Sequence, residues 1–137
     1  MTKALVLVAD DDANVLALCR NVLEEAGYEV DIAYDGVEAL ERIGIGDLDA
    51  LLTDVQMPRI DGLTVCRIVK SRPEAQHLPI IVMTGSPRLL AEARGIADEV
   101  VLKPFDLGAL LDTFEKVLPG AQTPNKVQLL WDVPTDE

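Results

Sequence analysis

Short apolar runs alternate with segments of helical period along most of the chain. The apolar runs fall at residues 5–9, 29–33, 50–53, 80–84 and 100–102. Such an alternation is typical of parallel strands joined by helices, and it predicts an α/β fold. With right-handed crossovers, five units of this length predict a doubly wound, five-stranded parallel sheet with the strand order 2-1-3-4-5.

Five helices are predicted between and after these strands. Their apolar residues recur at helical spacing, in the first helix with Leu18 and Cys19 on the apolar face, and capping or stop residues mark their ends. The fourth helix, from the cap Ser86 through Pro87 to Gly95, is predicted to be unusually short. The others are expected at 15–26 between Asp12 and Gly27, at 37–43, at 63–71, and at 107–118 between Asp106 and Pro119.

The length of the chain predicts one domain with a short appendage. Of the 137 residues, we expect 1–120 to form the sheet and its helices. Residues 121–137 are polar at first and contain an apolar stretch around Trp131. We predict a flexible linker and tail there, and a docking peptide around Trp131 is the alternative interpretation.

The acidic charge balance argues against two classes of partner. The formal net charge is -12 and the sequence pI is about 4.3. Such a chain repels the phosphates of nucleic acids and the headgroups of anionic membranes. The chain has two cysteines, and three aspartates interrupt the apolar run near its start, so we expect neither a disulfide framework nor a signal peptide. These features predict a cytoplasmic protein.

Acidic residues follow two of the predicted central strands. Asp10, Asp11 and Asp12 follow the first strand, and Asp54 follows the third. In a sheet of this order, these two strands flank the switch point at which ligands bind. Neighbouring carboxylates favour a cation, and oxygen ligands without His or Cys favour Mg²⁺ or Mn²⁺ over zinc. The sequence predicts a divalent metal site, although a solvated loop with Asp12 as a helix cap explains the first three acids on their own.

A hydroxyl and an ammonium group follow the last two predicted strands. Thr84 ends the fourth strand and Lys103 follows the fifth, so both are expected at the same edge of the sheet as the acids. Together with a divalent ion, this set suits transfer of a phosphoryl group to a carboxylate. Asp54 would be the nucleophile, and Thr84 and Lys103 would contact the phosphoryl oxygens.

Four linked motifs resemble those of the receiver domain of response regulators in two-component, or phosphorelay, signalling systems. They extend over roughly residues 3–118, in order and on the expected strands. The resemblance implies a flavodoxin-like receiver fold. The motifs are Val8-Ala9-Asp10-Asp11-Asp12, Leu52-Thr53-Asp54-Val55-Gln56-Met57-Pro58 with Asp61-Gly62 after it, Ile80-Ile81-Val82-Met83-Thr84-Gly85 and Leu102-Lys103-Pro104-Phe105.

The resemblance implies how the chain holds a metal ion. Asp54 is similar to the family's phosphoacceptor. Asp11 and Asp10 resemble the acidic pair that holds Mg²⁺, Asp11 directly and Asp10 largely through water. The backbone carbonyl of Gln56 resembles a third protein ligand.

The resemblance also implies a switch. Thr84 is similar to the hydroxyl that moves toward the phosphoryl group, Lys103 to the lysine that pairs with it, and the Lys103-Pro104 bond to the family's cis peptide. Phosphorylation of Asp54 would then shift the domain from an inactive to an active arrangement. The implied donor is a histidine kinase or phosphotransfer protein, the reader is an unidentified downstream protein, and a homodimer is compatible with this role.

Three features depart from the family's pattern. Val100 stands where the family usually has an aromatic residue, which puts coupling through a rotating ring in doubt. The stretch from Thr84 to Lys103 is a few residues shorter than usual, in line with the short fourth helix. No output domain follows, so we expect either a stand-alone receiver or a piece of a longer regulator.

Three rival functions are weaker. A Mg²⁺-dependent phosphatase of similar architecture usually has a second acid two residues after its nucleophile, and here that residue is Gln56. An FMN carrier would need a phosphate-binding loop after the first strand, where this chain has acids. A pseudo-receiver that only binds partners disagrees with the four intact motifs, although Val100 keeps it open.

Overall fold

A five-stranded parallel sheet of order β2-β1-β3-β4-β5 forms the centre of the protein, which confirms the predicted topology. The computed structural model describes residues 3–119. The strands are β1 (Leu5–Ala9), β2 (Glu29–Ala33), β3 (Ala50–Asp54), β4 (Ile80–Thr84) and β5 (Glu99–Leu102). The helices are α1 (Ala13–Glu25), α2 (Gly36–Ile43), α3 (Gly62–Ser71), α4 (Leu90–Arg94) and α5 (Leu107–Val117), with a 3₁₀ turn at Pro87–Leu89 before α4.

Helices cover both faces of the sheet and create two apolar cores. One core lies between the sheet and helices α1 and α5, with Leu23, Leu110 and Phe114 fully buried in it. The other lies under α2, α3 and α4. Strands β3 and β4 are buried along their whole length, and β1 is buried after its first residue. These three strands are apolar almost throughout because both of their faces pack against helices.

Aspartates begin four of the helices. The side chain of Asp12 accepts a hydrogen bond from the backbone N–H of Asn14, and Asp106 accepts one from Gly108, as the sequence predicted. Asp35 and Asp61 cap α2 and α3 in the same way. Each cap satisfies a backbone donor that has no partner within the helix.

Two details of the prediction are wrong. Leu18, predicted on the apolar face of the first helix together with Cys19, is 46% exposed, whereas Cys19 is fully buried. Ser86 precedes the fourth helix without capping it through its side chain. Its backbone N–H donates to Oγ1 of Thr84, and the segment begins as the 3₁₀ turn at Pro87–Leu89.

The Lys103-Pro104 peptide bond is cis, as the resemblance implied. Among residues 3–119, none of the helices has the length and apolar character that crossing a membrane requires. The predicted linker and tail at 121–137, including Trp131, lie outside the described residues and stay a prediction.

Candidate functional site

Three carboxylates meet at the carboxyl-terminal edge of the sheet, where β1 and β3 end side by side. Ala9 of β1 pairs with Thr53 of β3, so Asp10 and Asp54 are neighbours across the two strands. Ligand oxygens of Asp10, Asp11 and Asp54 all lie within 4.8 Å of one another. The predicted cluster of acids is therefore present. We refer to these three residues as the acidic cluster.

Burial makes the ionised state of the acidic cluster unfavourable in free energy. Asp10 is fully buried and Asp54 is only 8% exposed, whereas Asp11 is exposed. Burial and the negative charge of Asp10 raise the pKa of Asp54 above its ordinary value, against the opposing effect of Lys103. A shift in this direction means that the folded protein disfavours the ionised form of Asp54 unless a cation compensates it. Three carboxylates with only oxygen donors fit a hard divalent ion such as Mg²⁺.

Lys103 contacts two members of the acidic cluster. Its Nζ lies 2.9 Å from Oδ2 of Asp10 and 3.3 Å from Oδ1 of Asp54. Burial alone would lower the pKa of Lys103, but its hydrogen bond to Asp10 and the charges of both acids outweigh burial and raise this pKa. Lys103 is thus cationic at neutral pH and bridges these two carboxylates.

Backbone contacts hold Asp10 in place. Its Oδ1 accepts a hydrogen bond of 2.9 Å from the backbone N–H of Asp12, and its Oδ2 accepts the bond from Lys103. Asp12 itself points its side chain at the first turn of α1, where it accepts from Asn14. Asp12 therefore acts as a helix cap, in agreement with its simpler interpretation, and lies outside the acidic cluster.

Thr84 lies at the neighbouring strand end. It is 2% exposed, and its Oγ1 accepts a hydrogen bond of 3.0 Å from Ser86. Asp54 pairs with Met83 across β3 and β4, which places Thr84 one residue beyond the level of Asp54. The backbone N–H of Lys103 donates to the Thr84 carbonyl at 2.7 Å. The edge of the sheet thus joins the hydroxyl-bearing and lysine-bearing segments directly.

The loop after β3 carries the remaining predicted ligand. Gln56 is exposed in this loop, between the buried side chains of Val55 and Met57. The loop closes where the N–H of Gly62 donates to the carbonyl of Val55 at 2.7 Å. Val55 and Met57 anchor the loop and leave Gln56 at the surface, and the role of its carbonyl stays a prediction.

Gly62 allows α3 to begin directly against the backbone of Asp54. A Cβ at this position would lie 1.9 Å from the Asp54 carbonyl oxygen. We expect Gly62→Ala to destabilise the protein by about 1–3 kcal/mol, because the backbone must shift to accommodate the methyl group. Urea denaturation would measure this loss. Gly95→Ala, whose added Cβ would find its nearest neighbour at an ordinary 3.5 Å, is the control, and equal stability of the two variants would contradict the prediction.

An apolar groove borders the acidic cluster, and the sequence did not predict it. Val15, Leu18, Pro104 and Phe105 line a groove of about 350 Å³ together with Lys103. Its position follows from the exposed side chain of Leu18 and from the turn after β5. The apolar residue Phe105 directly after Lys103-Pro104 was the available signal in the sequence, but its contact with α1 depends on the tertiary structure.

Val100 lies in the middle of β5, paired with Val82 of β4. It is partly buried and packs against the core under α2, α3 and α4. A valine in this position has no ring that could rotate between exposed and buried orientations. Coupling through a rotating ring therefore has no group to carry it at this position.

Comparisons with known proteins point to one family. Residues 6–115 match the family described as the response regulator receiver domain. Response regulator MprA of Mycobacterium ulcerans is 43% identical over 116 residues, which cover 82% of this chain and 49% of MprA. The chain thus spans about half the length of the curated relatives it matches.

Solved structures give the same picture of the fold. The chemotaxis response regulator CheY4 of Vibrio cholerae superimposes with a TM-score of 0.78 at 33% identity, covering 85% of this chain and 99% of CheY4. The response regulator TrrA of Thermotoga maritima, solved in complex with Mg²⁺ and a beryllium fluoride, gives 0.78 at 32% identity and covers 83% of this chain and 98% of TrrA.

Proposed function

Because the chain belongs to the response regulator receiver domain family of two-component systems, a family of signalling switches rather than enzymes, we propose that it is a phosphoaccepting switch. Asp54 accepts a phosphoryl group from a histidine kinase or phosphotransfer protein in a Mg²⁺-dependent reaction. The modified domain then changes a surface that a downstream protein binds.

One observation carries the proposal: Asp54 lies at a buried strand end, close to the ammonium group of Lys103 and to two further carboxylates. Lys103 is 3.3 Å from its carboxylate, and ligand oxygens of Asp10 and Asp11 are within 4.8 Å. In the transfer, an oxygen of Asp54 forms a bond to phosphorus while the bond from phosphorus to the donor's imidazole nitrogen breaks. The imidazole leaves with that electron pair, and Lys103 stabilises the phosphoryl oxygens as the charge moves.

The acidic cluster fits the metal that the family implies. Asp10, Asp11 and Asp54, with the carbonyl of Gln56, would hold the ion. Bound Mg²⁺ supplies positive charge that offsets repulsion between the phosphoryl oxygens and these acids. The relative from Thermotoga maritima was solved in complex with Mg²⁺ and a beryllium fluoride, which supports Mg²⁺ as the ion for the acidic cluster.

Thr84 is the group through which the modification would alter the structure. In the unmodified protein its Oγ1 accepts a hydrogen bond from Ser86, at the start of the segment that leads into α4. A phosphoryl oxygen on Asp54 offers the hydroxyl a strong charged acceptor. Attraction of Thr84 toward that oxygen shifts the Ser86 segment and the adjoining face, because the two residues are linked directly. This route does not require an aromatic ring at Val100.

Phosphorylation by a small donor tests the proposal. Incubated with acetyl phosphate and Mg²⁺, the wild-type protein is expected to gain one phosphoryl group by intact mass. Excess EDTA is expected to prevent the gain. Failure of the wild type to accept a phosphoryl group, or metal-independent labelling, would contradict the proposed function.

The apolar groove beside the cluster gives the donor protein a place to dock. A protein that carries phosphohistidine must bring its phosphorus to Asp54 and therefore cover the adjoining surface. Lys103 both lines the groove and contacts Asp54. Apolar residues at this border, Leu18 of α1 and Phe105, are suited to a protein surface rather than to a small ion.

Leu18→Lys is expected to slow transfer from a phosphohistidine donor protein about tenfold while leaving labelling by acetyl phosphate unchanged. A charged side chain in the lining of the groove opposes burial by the partner, whereas acetyl phosphate needs no groove. The measurement compares initial rates with any phosphorylated kinase fragment that labels the wild type. Ile45→Lys, at an exposed apolar residue after α2, is the matched control. An equal loss of rate with the donor protein and with acetyl phosphate would contradict docking at the groove. So would an effect of Ile45→Lys equal to that of Leu18→Lys.

A further inference from the structure

We propose that the ion pair between Arg59 and Asp35 is a positioning device for the acidic cluster. The pair holds the loop after β3 against the start of α2, and so keeps Asp54 at the spacing from Asp10 and Asp11 that a divalent cation needs. This inference rests on the proposed function for the identity of the bound ion, Mg²⁺.

The ion pair is well formed. Nη2 and Nε of Arg59 donate to the same oxygen of Asp35, Oδ2, at 2.8 and 3.0 Å. The other oxygen of Asp35 accepts from the N–H of Glu38 in the first turn of α2. The side chain of Asp35 is 14% exposed and that of Arg59 is 57% exposed. The N–H of Glu38, followed by the guanidinium of Arg59, holds the pKa of Asp35 below its usual range, so the carboxylate is charged at neutral pH.

The pair joins the segments that follow β2 and β3, the two strands that flank β1. Strand β1 lies between β2 and β3, and it is from the end of β1 that Asp10 and Asp11 project. On one side, the N–H of Asp10 donates to the carbonyl of Ala33 at 3.1 Å, two residues before Asp35. On the other side, Arg59 follows Asp54 by five residues. The ion pair therefore closes a ring of contacts that contains both Asp10 and Asp54.

The backbone of the loop is pressed against α2 at the same place. Arg59 adopts φ 70°, in the left-handed region that residues other than glycine rarely occupy. A Cβ at Gly36 would lie 2.1 Å from the carbonyl oxygen of Ile60, so the two backbones are in direct contact. A conformation of this kind persists only when surrounding contacts fix it, and the Arg59–Asp35 ion pair is one of them.

Arg59 could act through its charge alone or by positioning the loop, and these two roles predict opposite effects of Arg59→Ala on Mg²⁺ binding. If Arg59 acts only as a positive charge near the cluster, its removal makes Mg²⁺ bind more tightly. If it positions the loop, its removal makes Mg²⁺ bind more weakly. We expect about two- to fivefold weaker binding, the range that loss of a partly exposed ion pair gives. Isothermal titration of the full chain with MgCl₂ measures the dissociation constant.

Further variants separate the ion pair from its charges. Arg59→Lys keeps the positive charge and is expected to recover part of the affinity. The double variant Arg59→Gln with Asp35→Asn leaves the net charge unchanged and keeps a capping oxygen at residue 35, and it is expected to bind as weakly as Arg59→Ala. Arg67→Ala removes the same charge from an exposed ion pair with Glu92, and we expect wild-type affinity.

The outcomes distinguish this inference from the proposed function. Asp11→Asn removes a cluster acid, so the proposed function expects it to bind Mg²⁺ weakly or not at all. If the wild type binds Mg²⁺, Asp11→Asn loses it, and Arg59→Ala binds as tightly as the wild type or more tightly, the positioning role is overturned while the proposed function stands. A fall in the free energy of unfolding of Arg59→Ala with no change in affinity overturns it as well. A wild type that does not bind Mg²⁺ overturns both.

Discussion

Asp54→Ala is expected to gain no phosphoryl group from acetyl phosphate and Mg²⁺ under conditions that label the wild type. Asp54 is the buried acid at the end of β3 that contacts Lys103. Removing its carboxylate removes the nucleophile, so the expected effect is complete loss rather than a slower rate. Intact mass after incubation measures it, and circular dichroism checks that the variant folds.

Neighbouring acids are alternative acceptors, so the test must distinguish labelling of Asp54 from labelling of these carboxylates. Asp11 and Asp12 are exposed within a few residues of the site and also carry carboxylates. Neither makes the contact with Lys103 that Asp10 and Asp54 make. Asp12→Asn keeps the α1 cap and removes one nearby charge, and we expect it to be labelled like the wild type. Equal labelling of the wild type and Asp54→Ala would refute the assignment of the acceptor.

The sequence was sufficient to predict the sheet because the strand signal is local. Strands β1, β3 and β4 are continuous apolar runs, and their ends follow from the polar residues after them. Once the order of parallel strands is known, the residue after each strand must lie at the same edge. That rule places Asp10 and Asp54 at the same edge of the sheet, and the order of β1 and β3 makes them neighbours.

Contacts between side chains far apart in the sequence could not be predicted in this way. Lys103 was expected at the edge, but its hydrogen bond to Asp10 joins residues 93 positions apart. Arg59 and Asp35 are 24 positions apart and are brought together by two loops whose conformations the sequence did not predict. The exposure of Leu18 depends on how α1 is rotated against the sheet, which periodicity defines only approximately.

Lys103→Met is expected to lower the free energy of unfolding by about 2–3 kcal/mol in the presence of EDTA, because it leaves buried acids without their cation. Asp10 is fully buried, and without metal Lys103 is its cationic partner in the described structure. Methionine keeps most of the apolar stem and removes the charge. The raised pKa of Lys103 means that its contribution is complete at neutral pH and is lost only as the pH rises past its folded pKa, above the ordinary 10.5. Urea denaturation at pH 7 measures the difference.

Mg²⁺ is expected to restore most of the stability that Lys103→Met loses. The ion and the ammonium group both compensate the acidic cluster, so the stabilisation by Mg²⁺ should be larger in the variant than in the wild type. Lys116→Met removes an exposed lysine that pairs with the partly buried Glu99, away from the acidic cluster. This variant is the matched control and should respond to Mg²⁺ like the wild type. A variant that is as stable as the wild type in EDTA, or that gains no more from Mg²⁺ than the control, would show that Lys103 does not compensate these acids. Mg²⁺ and Lys103 would then act independently of each other, and the proposed connection between metal binding and the charge of the acidic cluster would be wrong.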